Sequence, residues 1–271
     1  MMKYGRQSLK RLMKTHAPFQ GMFSQINPQY KDGSLVFPFY GHEDSAFILA
    51  MKRIALFGLS EESTAEELIK KFAKLNKKDQ IHIAYELSHE LKIASLAASI
   101  ALSNQNSNVY EIGPYLGFSS LHYSRCVRNK GKSPSKPIYK LTAIEINKEA
   151  FESARTLLER TNKDFIAEVE YVHADAKTYL AHSCKYNDIV FGSLVQPDVC
   201  NTILTLSHSK KINFIISYGE TFDFQTFENS IDKKAYDIYP FKDREYNVHA
   251  NVWQKRYGVV ALVKNTEKTI D

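Results

Sequence analysis

The run Glu111-Ile112-Gly113-Pro114-Tyr115-Leu116-Gly117-Phe118-Ser119 is where chemistry first becomes legible in this sequence. Two glycines four residues apart suit a tight strand-to-helix turn, where a backbone must approach a ligand with no side chain in the way. The helix start beyond them offers unpaired N–H groups to a carboxylate or phosphate. The dinucleotide pattern G-x-G-x-x-G fails here, because Tyr115 and Phe118 fill its second and third glycine positions. Glu145 ends the next strand pattern, 28 residues after Gly117. A carboxylate there can accept from both hydroxyls of a ribose. Its spacing is long because NKGKSPSKP (129–137) reads as a surface insertion. Ala174-Asp175-Ala176 ends the third strand pattern, an acid for an adenine amino group beside a residue small enough to leave room for the ring. Each acid alone is an ordinary strand-end carboxylate. In this order on successive strands, they describe an adenosine pocket.

The elements that must position these residues follow from periodicity. Leu87, Leu91, Ala94, Ala98 and Ala101 step by four and three, one face of a long helix from about residue 77. NVYEIG reads as a short buried strand, with a helix starting near Phe118. IYKLTAIEI (138–146) is the second strand, and Asn147 can cap the following helix, whose apolar face is Phe151, Ala154, Leu157 and Leu158. AEVEYVHA, NDIVFGSL and KINFIISYG are further strands, separated by helices near 176–183 and 198–208. AYDIYPF and RYGVVALVKN read as two paired terminal strands. Strands alternating with helices predict an α/β domain, a doubly wound and mostly parallel sheet covered by helices on both faces. Ligands of such sheets sit at the carboxyl ends of the strands, near the point where the strand order reverses. The turns after Glu111, Ile144, Ala174, Phe191 and Ser217 are therefore the places to look.

Composition narrows the function classes. With 44% hydrophobic and 24% charged residues among 271, the chain is an ordinary globular one. It lacks the long apolar run of a membrane span, and its basic start lacks the apolar region of a secretory signal. Cys126, Cys184 and Cys200 form no CxxC pair, which suits a reducing compartment, the cytoplasm, and suggests no zinc site. The net charge of +6 has one address: residues 1–31 hold six basic residues and no acid, and the other 240 are formally neutral. A nucleic-acid partner is therefore not expected from charge.

The motif E-I-G-x-Y-x-G-F-S is very similar to that of S-adenosylmethionine-dependent O-methyltransferases of the caffeoyl-CoA and catechol type. The resemblance extends over about residues 80–265, with TAIEIN as ribose strand and VEYVHADA as adenine strand. It implies a Rossmann-like fold, a seven-stranded sheet whose last strand runs antiparallel, and S-adenosyl-L-methionine as cofactor. It further implies that Glu111, Gly113 and Gly117 cradle the methionine part and that Ser119 reaches its carboxylate. Glu145 would hold the ribose and Asp175 the adenine edge, next to Ala176; Tyr115 would wall the pocket. The sequence departs from the family where metal-dependent members carry a D-A-D run after the fourth strand: Ser193, Leu194 and Val195 stand there. Their metal-binding Asp-Asn pair after the fifth strand is missing too, and Asp198 and Glu220 are at the wrong offsets. No metal is expected.

The predicted function is a metal-independent methyltransferase acting on a small-molecule acceptor. An oxygen or nitrogen acceptor often loses a proton, so Glu220, Tyr218 and His249 are the candidate catalytic groups, with Trp253 and Tyr246 to stack on the acceptor. Two alternatives fit the same residues: a protein that transfers the aminocarboxypropyl arm or only binds the cofactor, and an RNA- or DNA-directed enzyme guided by the basic N-terminus. Residues 76–271 form the cofactor-binding domain. Residues 1–75 are expected to be a helical cap over the acceptor side, because Phe37, Phe39, Phe47, Ile48, Leu49, Ile54, Leu56 and Phe57 must be buried somewhere. The same apolar surface suits a homodimer contact.

Overall fold

A computed structural model describes residues 29–31, 34–37, 74–104, 107–115, 117–130, 140–161, 169–193, 195–218, 223–247 and 252–264. The first long element is helix α1, Lys77–Ser103. Asn76 starts it, accepting from Asp79 N at 2.9 Å while its own amide donates to the Asp79 carboxylate at 2.6 Å. That reciprocal bond satisfies a backbone donor that the first turn otherwise leaves open. The predicted face of Leu87, Leu91, Ala94, Ala98 and Ala101 is fully buried. Ile93, Leu96, Ala97 and Ile100 are buried as well, so α1 is apolar around much of its circumference. It lies between the sheet and a second helix, and alanines let the two helices approach closely.

From there strands and helices alternate: β3 Val109–Ile112, α2 Phe118–Lys130, β4 Leu141–Glu145, α3 Lys148–Thr161, β5 Val169–His173, α4 Ala176–Ser183, β6 Ile189–Gly192, α5 Pro197–Lys210, β7 Asn213–Tyr218, α6 Phe224–Ser230, β8 Tyr236–Asn247 and β9 Val252–Val263. They build a seven-stranded sheet in the order β5-β4-β3-β6-β7-β9-β8. β3 to β7 pair in parallel, and β9 runs antiparallel between β7 and β8. The chain leaves β3 toward β4 and β5, then returns on the other side of β3 with β6. The order therefore reverses between β3 and β6, as a doubly wound sheet requires.

Two cores follow from the pleat, since alternate residues face opposite sides. Val109, Leu141, Ile189, Phe191, Ile215, Phe241 and Val260 pack beneath α1 and α2. Tyr110, Ile112, Ile144, Val190, Phe214 and Ile216 pack beneath α4, α5 and α6. At the amino ends of β3 and β6 the buried Asp188 carboxylate accepts from Asn108 N (2.9 Å), Asn108 Nδ2 (3.1 Å) and Lys185 N (2.7 Å). This clamp fixes the relative height of the two strands that bound the reversal point.

Three features depart from the sequence reading. Helix α6, capped by Asp223, lies in a stretch assigned no element. β8 and β9 are each 12 residues, longer than the predicted pair. In the N-terminal segment, expected to be helical, the described residues form a hairpin: β1 Gln29–Lys31 against β2 Ser34–Val36, antiparallel, followed by the fully buried Phe37. In the sequence, the dipeptide Asp32-Gly33 between the two runs is the local signal for a hairpin. Apart from residues 74–75, the rest of the expected cap, with Phe39, Phe47, Ile48, Leu49, Ile54, Leu56 and Phe57, lies outside the described residues.

Candidate functional site

The turn from β3 to α2 adopts the conformation its glycines allow. Gly113 has φ +61° and Gly117 φ +80°, both left-handed, and Tyr115 between them has φ 52°. A left-handed φ costs a side-chain-bearing residue about 1 kcal/mol or more, so Tyr115 is held there by something. Its N–H donates to Glu145 Oε2 at 3.1 Å. Gly113 N donates to the Ile144 carbonyl at 2.9 Å, and Gly117 N to that of Pro114 at 2.8 Å. The two glycines differ in their surroundings. A Cβ on Gly117 would land on the Tyr171 hydroxyl and near Ala154 Cβ, so this glycine seats the helix against β5 and α3. A Cβ on Gly113 would meet nothing within 4 Å. Gly113 therefore lines an opening, at the reversal point between β3 and β6.

Glu145 ends β4 beside that opening and is only 6% exposed. Its Oε2 takes the Tyr115 N–H and its Oε1 the Asn147 N–H at 2.9 Å. Two oxygens offer about four lone-pair positions, so this carboxylate is oriented by two backbone donors and keeps capacity for hydroxyl donors. Asp175, after β5, is half-buried and caps α4, its Oδ1 accepting from Lys177 N at 2.7 Å. Ala176 follows it, buried in the core of that face.

Glu111 lies one layer deeper, buried on the α2 side of β3. The hydroxyls of Ser119 and Ser120 both donate to it. Burial pushes its carboxyl up to about 7; the two serine hydrogen bonds pull it back down, and the charges of Glu90 and Glu145 raise it further. Ser119, expected to reach a cofactor carboxylate, instead fastens the first turn of α2 to Glu111. His122, one turn on, is fully buried with Nε2 2.7 Å from Ser95 Oγ; burial, then the Arg125 charge, holds it down at about 3. It is a neutral packing residue.

The acceptor-side candidates fare differently. Tyr218 is fully buried on the α6 face, stacked on Phe224, with its hydroxyl donating to the buried Glu228 at 3.0 Å. It is a core tyrosine rather than a group facing the cleft. Strand parity explains this, because Phe214, Ile216 and Tyr218 share one face. Glu220 and His249 lie outside the described residues, as do the side chains of Tyr246 and Trp253. Asp198 is exposed, 3.7 Å from Lys177 Nζ. No group of three or more His, Cys, Asp or Glu able to hold a metal occurs among the described residues. No described helix is long and apolar enough to cross a membrane.

Four residues that carry no motif gather on the opposite, α1, face: His89, Ser193, Ser217 and Asp243. In the sequence, Ser193 marks the place of a missing carboxylate, and Ser217 precedes one of the strand-end turns. His89 and Asp243 gave no signal of their own. Parity could have grouped three of them, since Ser193, Ser217 and Asp243 each stand two residues beyond a member of the α1-side core, Phe191, Ile215 and Phe241.

No protein-family model matches this chain, and no curated protein does. Solved structures similar to it include magnesium protoporphyrin IX methyltransferase from Synechocystis PCC 6803 with bound SAM. That match has 12% identity, covers 78% of this chain and 96% of that one, and has a TM-score of 0.48. Precorrin-6y C5,15-methyltransferase from Geobacter metallireducens GS-15 matches at 13% identity over 64% and 87% of the two chains, with a TM-score of 0.46. An rRNA methylase from Streptococcus thermophilus matches at 7% identity over 64% and 97%, with a TM-score of 0.44.

Proposed function

We propose that this chain is a methyltransferase that uses S-adenosyl-L-methionine and acts on a small molecule bearing an O–H or N–H, as in the O-methyltransferases its first motif resembles. One observation carries the reading. The open side of Gly113 lies beside the Glu145 carboxylate, which two backbone N–H groups already aim, at the reversal point of a sheet ordered β5-β4-β3-β6-β7-β9-β8.

The residues fit the cofactor. Glu145 has acceptor capacity left for a ribose diol. Gly113 removes the side chain that would fill the space above β3. Asp175 and the small Ala176 stand on the next strand end, where the adenine edge would lie. The cofactor, when bound, supplies a methyl group already activated on a sulfonium, so the protein needs to align the acceptor and exclude water. Tyr115, half-exposed and pinned by Glu145, walls the opening. Glu111 does not touch the ligand in this reading. With Ser119 and Ser120 it holds the first turn of α2 against β3. The reading requires no metal ion, since Ser193 and Val195, rather than carboxylates, follow β6.

Calorimetric titration with S-adenosyl-L-methionine and S-adenosylhomocysteine tests it. Wild type should bind both. Glu145→Ala removes a charged hydrogen-bond partner and should lose about 1.5–3 kcal/mol, a tenfold or greater drop in affinity. Unchanged affinity in Glu145→Ala refutes the ribose assignment, and no binding by wild type refutes the reading. Tritiated methyl transfer to a panel of phenols, amines and hydroxy acids then identifies the acceptor class.

A further inference from the structure

A row of polar side chains leads out of the cleft on the α1 face of the sheet, and the adenosine pocket uses none of them. Ser193 stands at its outer end, half-buried. It is one residue beyond Gly192, whose partner across the parallel pair is Ile112. Ser193 and Gly113 therefore flank the same strand-end opening. Ser193 Oγ lies 3.4 Å from Ser217 Oγ, and Ser217 Oγ lies 3.2 Å from His89 Nε2. Ser217 is fully buried and His89 is 1% exposed. On its other side the imidazole Nδ1 makes no hydrogen bond and stands 3.9 Å from Asp243 Oδ2, which Lys92 Nζ approaches to 3.8 Å. The row thus runs from a half-buried hydroxyl to a buried imidazole to a carboxylate, with contributions from the turn after β6 and from β7, α1 and β8.

We propose that Ser193, Ser217 and His89, backed by Asp243, form a proton relay out of the acceptor side of this cleft. The proposal rests on the methyltransferase reading. An acceptor X–H that becomes X–CH3 must lose a proton. The X–C bond forms as the methyl C–S bond breaks, and that bond's electron pair stays on sulfur. The proton leaves X for Ser193 Oγ; Ser193 passes its own to Ser217, and Ser217 passes its own to His89 Nε2. The resulting imidazolium stands 3.9 Å from the Asp243 carboxylate, which Lys92 Nζ also approaches, at 3.8 Å. Ser193 is the group that meets the acceptor. Ser217 and His89 act through it and are positioning groups. The 3.4 Å step is long for a hydroxyl pair, and such contacts tighten when substrate is bound. For Nε2 to accept from Ser217, the neutral ring must carry its proton on Nδ1, facing Asp243.

The test uses two ligands that differ at the reacting position. S-adenosylhomocysteine has no group there, and sinefungin places an ammonium there. The full chain, with 15N-labelled histidine, is read by long-range 15N–1H NMR, and the His89 signals are identified by their absence in His89→Gln. The Nε2 resonance of His89 should differ between the two complexes. That difference should vanish in Ser193→Ala and Ser217→Ala while calorimetry shows both ligands still bound, and it should return in Ser193→Thr, which restores a hydroxyl. Identical His89 resonances in the two wild-type complexes, or a difference that survives Ser193→Ala, overturn the relay and leave the cofactor reading standing. If wild type binds neither ligand, the cofactor reading falls and the relay with it. Should Ser217→Ala fail to fold, the Ser193→Ala and Ser193→Thr pair decides alone.

Discussion

Replacing Glu111 with Gln isolates the cost of a buried carboxylate. In the fold, burial moves this group from 4.5 to about 7 against the pull of Ser119 and Ser120. Below pH 4.5 it is protonated in both folded and unfolded chains, and it has no pH-dependent cost. As pH rises from there, the unfolded chain ionises first and gains stability relative to the fold. The penalty grows until the folded group also ionises near pH 7, then levels off. At about 1.36 kcal/mol per pKa unit, the full penalty is roughly 3 kcal/mol. Gln cannot ionise, and its amide can pair with both serine hydroxyls, one as donor and one as acceptor. The stability of Glu111→Gln minus that of wild type should therefore rise by about 2–3 kcal/mol between pH 5 and pH 8. Urea unfolding of both proteins across that range measures it, and titrating groups that do not interact with Glu111 cancel in the difference. A difference that stays flat from pH 5 to pH 8 would mean that Glu111 titrates normally, and the burial argument would be wrong.

The two glycines of the turn should separate structural from ligand effects. Gly117→Ala meets the Tyr171 hydroxyl as well as an unfavourable φ and should cost about 1–3 kcal/mol in thermal or urea unfolding, partly regained in a Tyr171→Phe background. Gly113→Ala has open space and bears only the φ cost of about 1 kcal/mol, yet it should lower S-adenosyl-L-methionine affinity more than Gly117→Ala does. Tyr218→Phe leaves the buried Glu228 without its phenol donor and should cost about 1–3 kcal/mol in stability. Calorimetry should show unchanged cofactor affinity in that variant, as expected of a core residue.

The sequence by itself determined the alternation of strands and helices, the doubly wound sheet and the order of Glu111, Glu145 and Asp175 along three strand ends. Those are local properties: apolar period, glycine at a turn, acid after a strand. They are written within a few residues, so the Gly113 and Gly117 conformations could be anticipated. What only the tertiary structure decided are properties of neighbours distant in sequence. Ser119 could have pointed at a ligand; it bonds Glu111 because the first turn of α2 sits over β3. Tyr218 could have faced the cleft; the pleat turned it toward α6 and Glu228. His89 meets Ser217 across 128 residues of chain, and Asp243 reaches the same place because β9 inserts between β7 and β8 and sets the height of the outer strand. None of these has a short-range signature, because each depends on which faces the packing of helices on the sheet brings together.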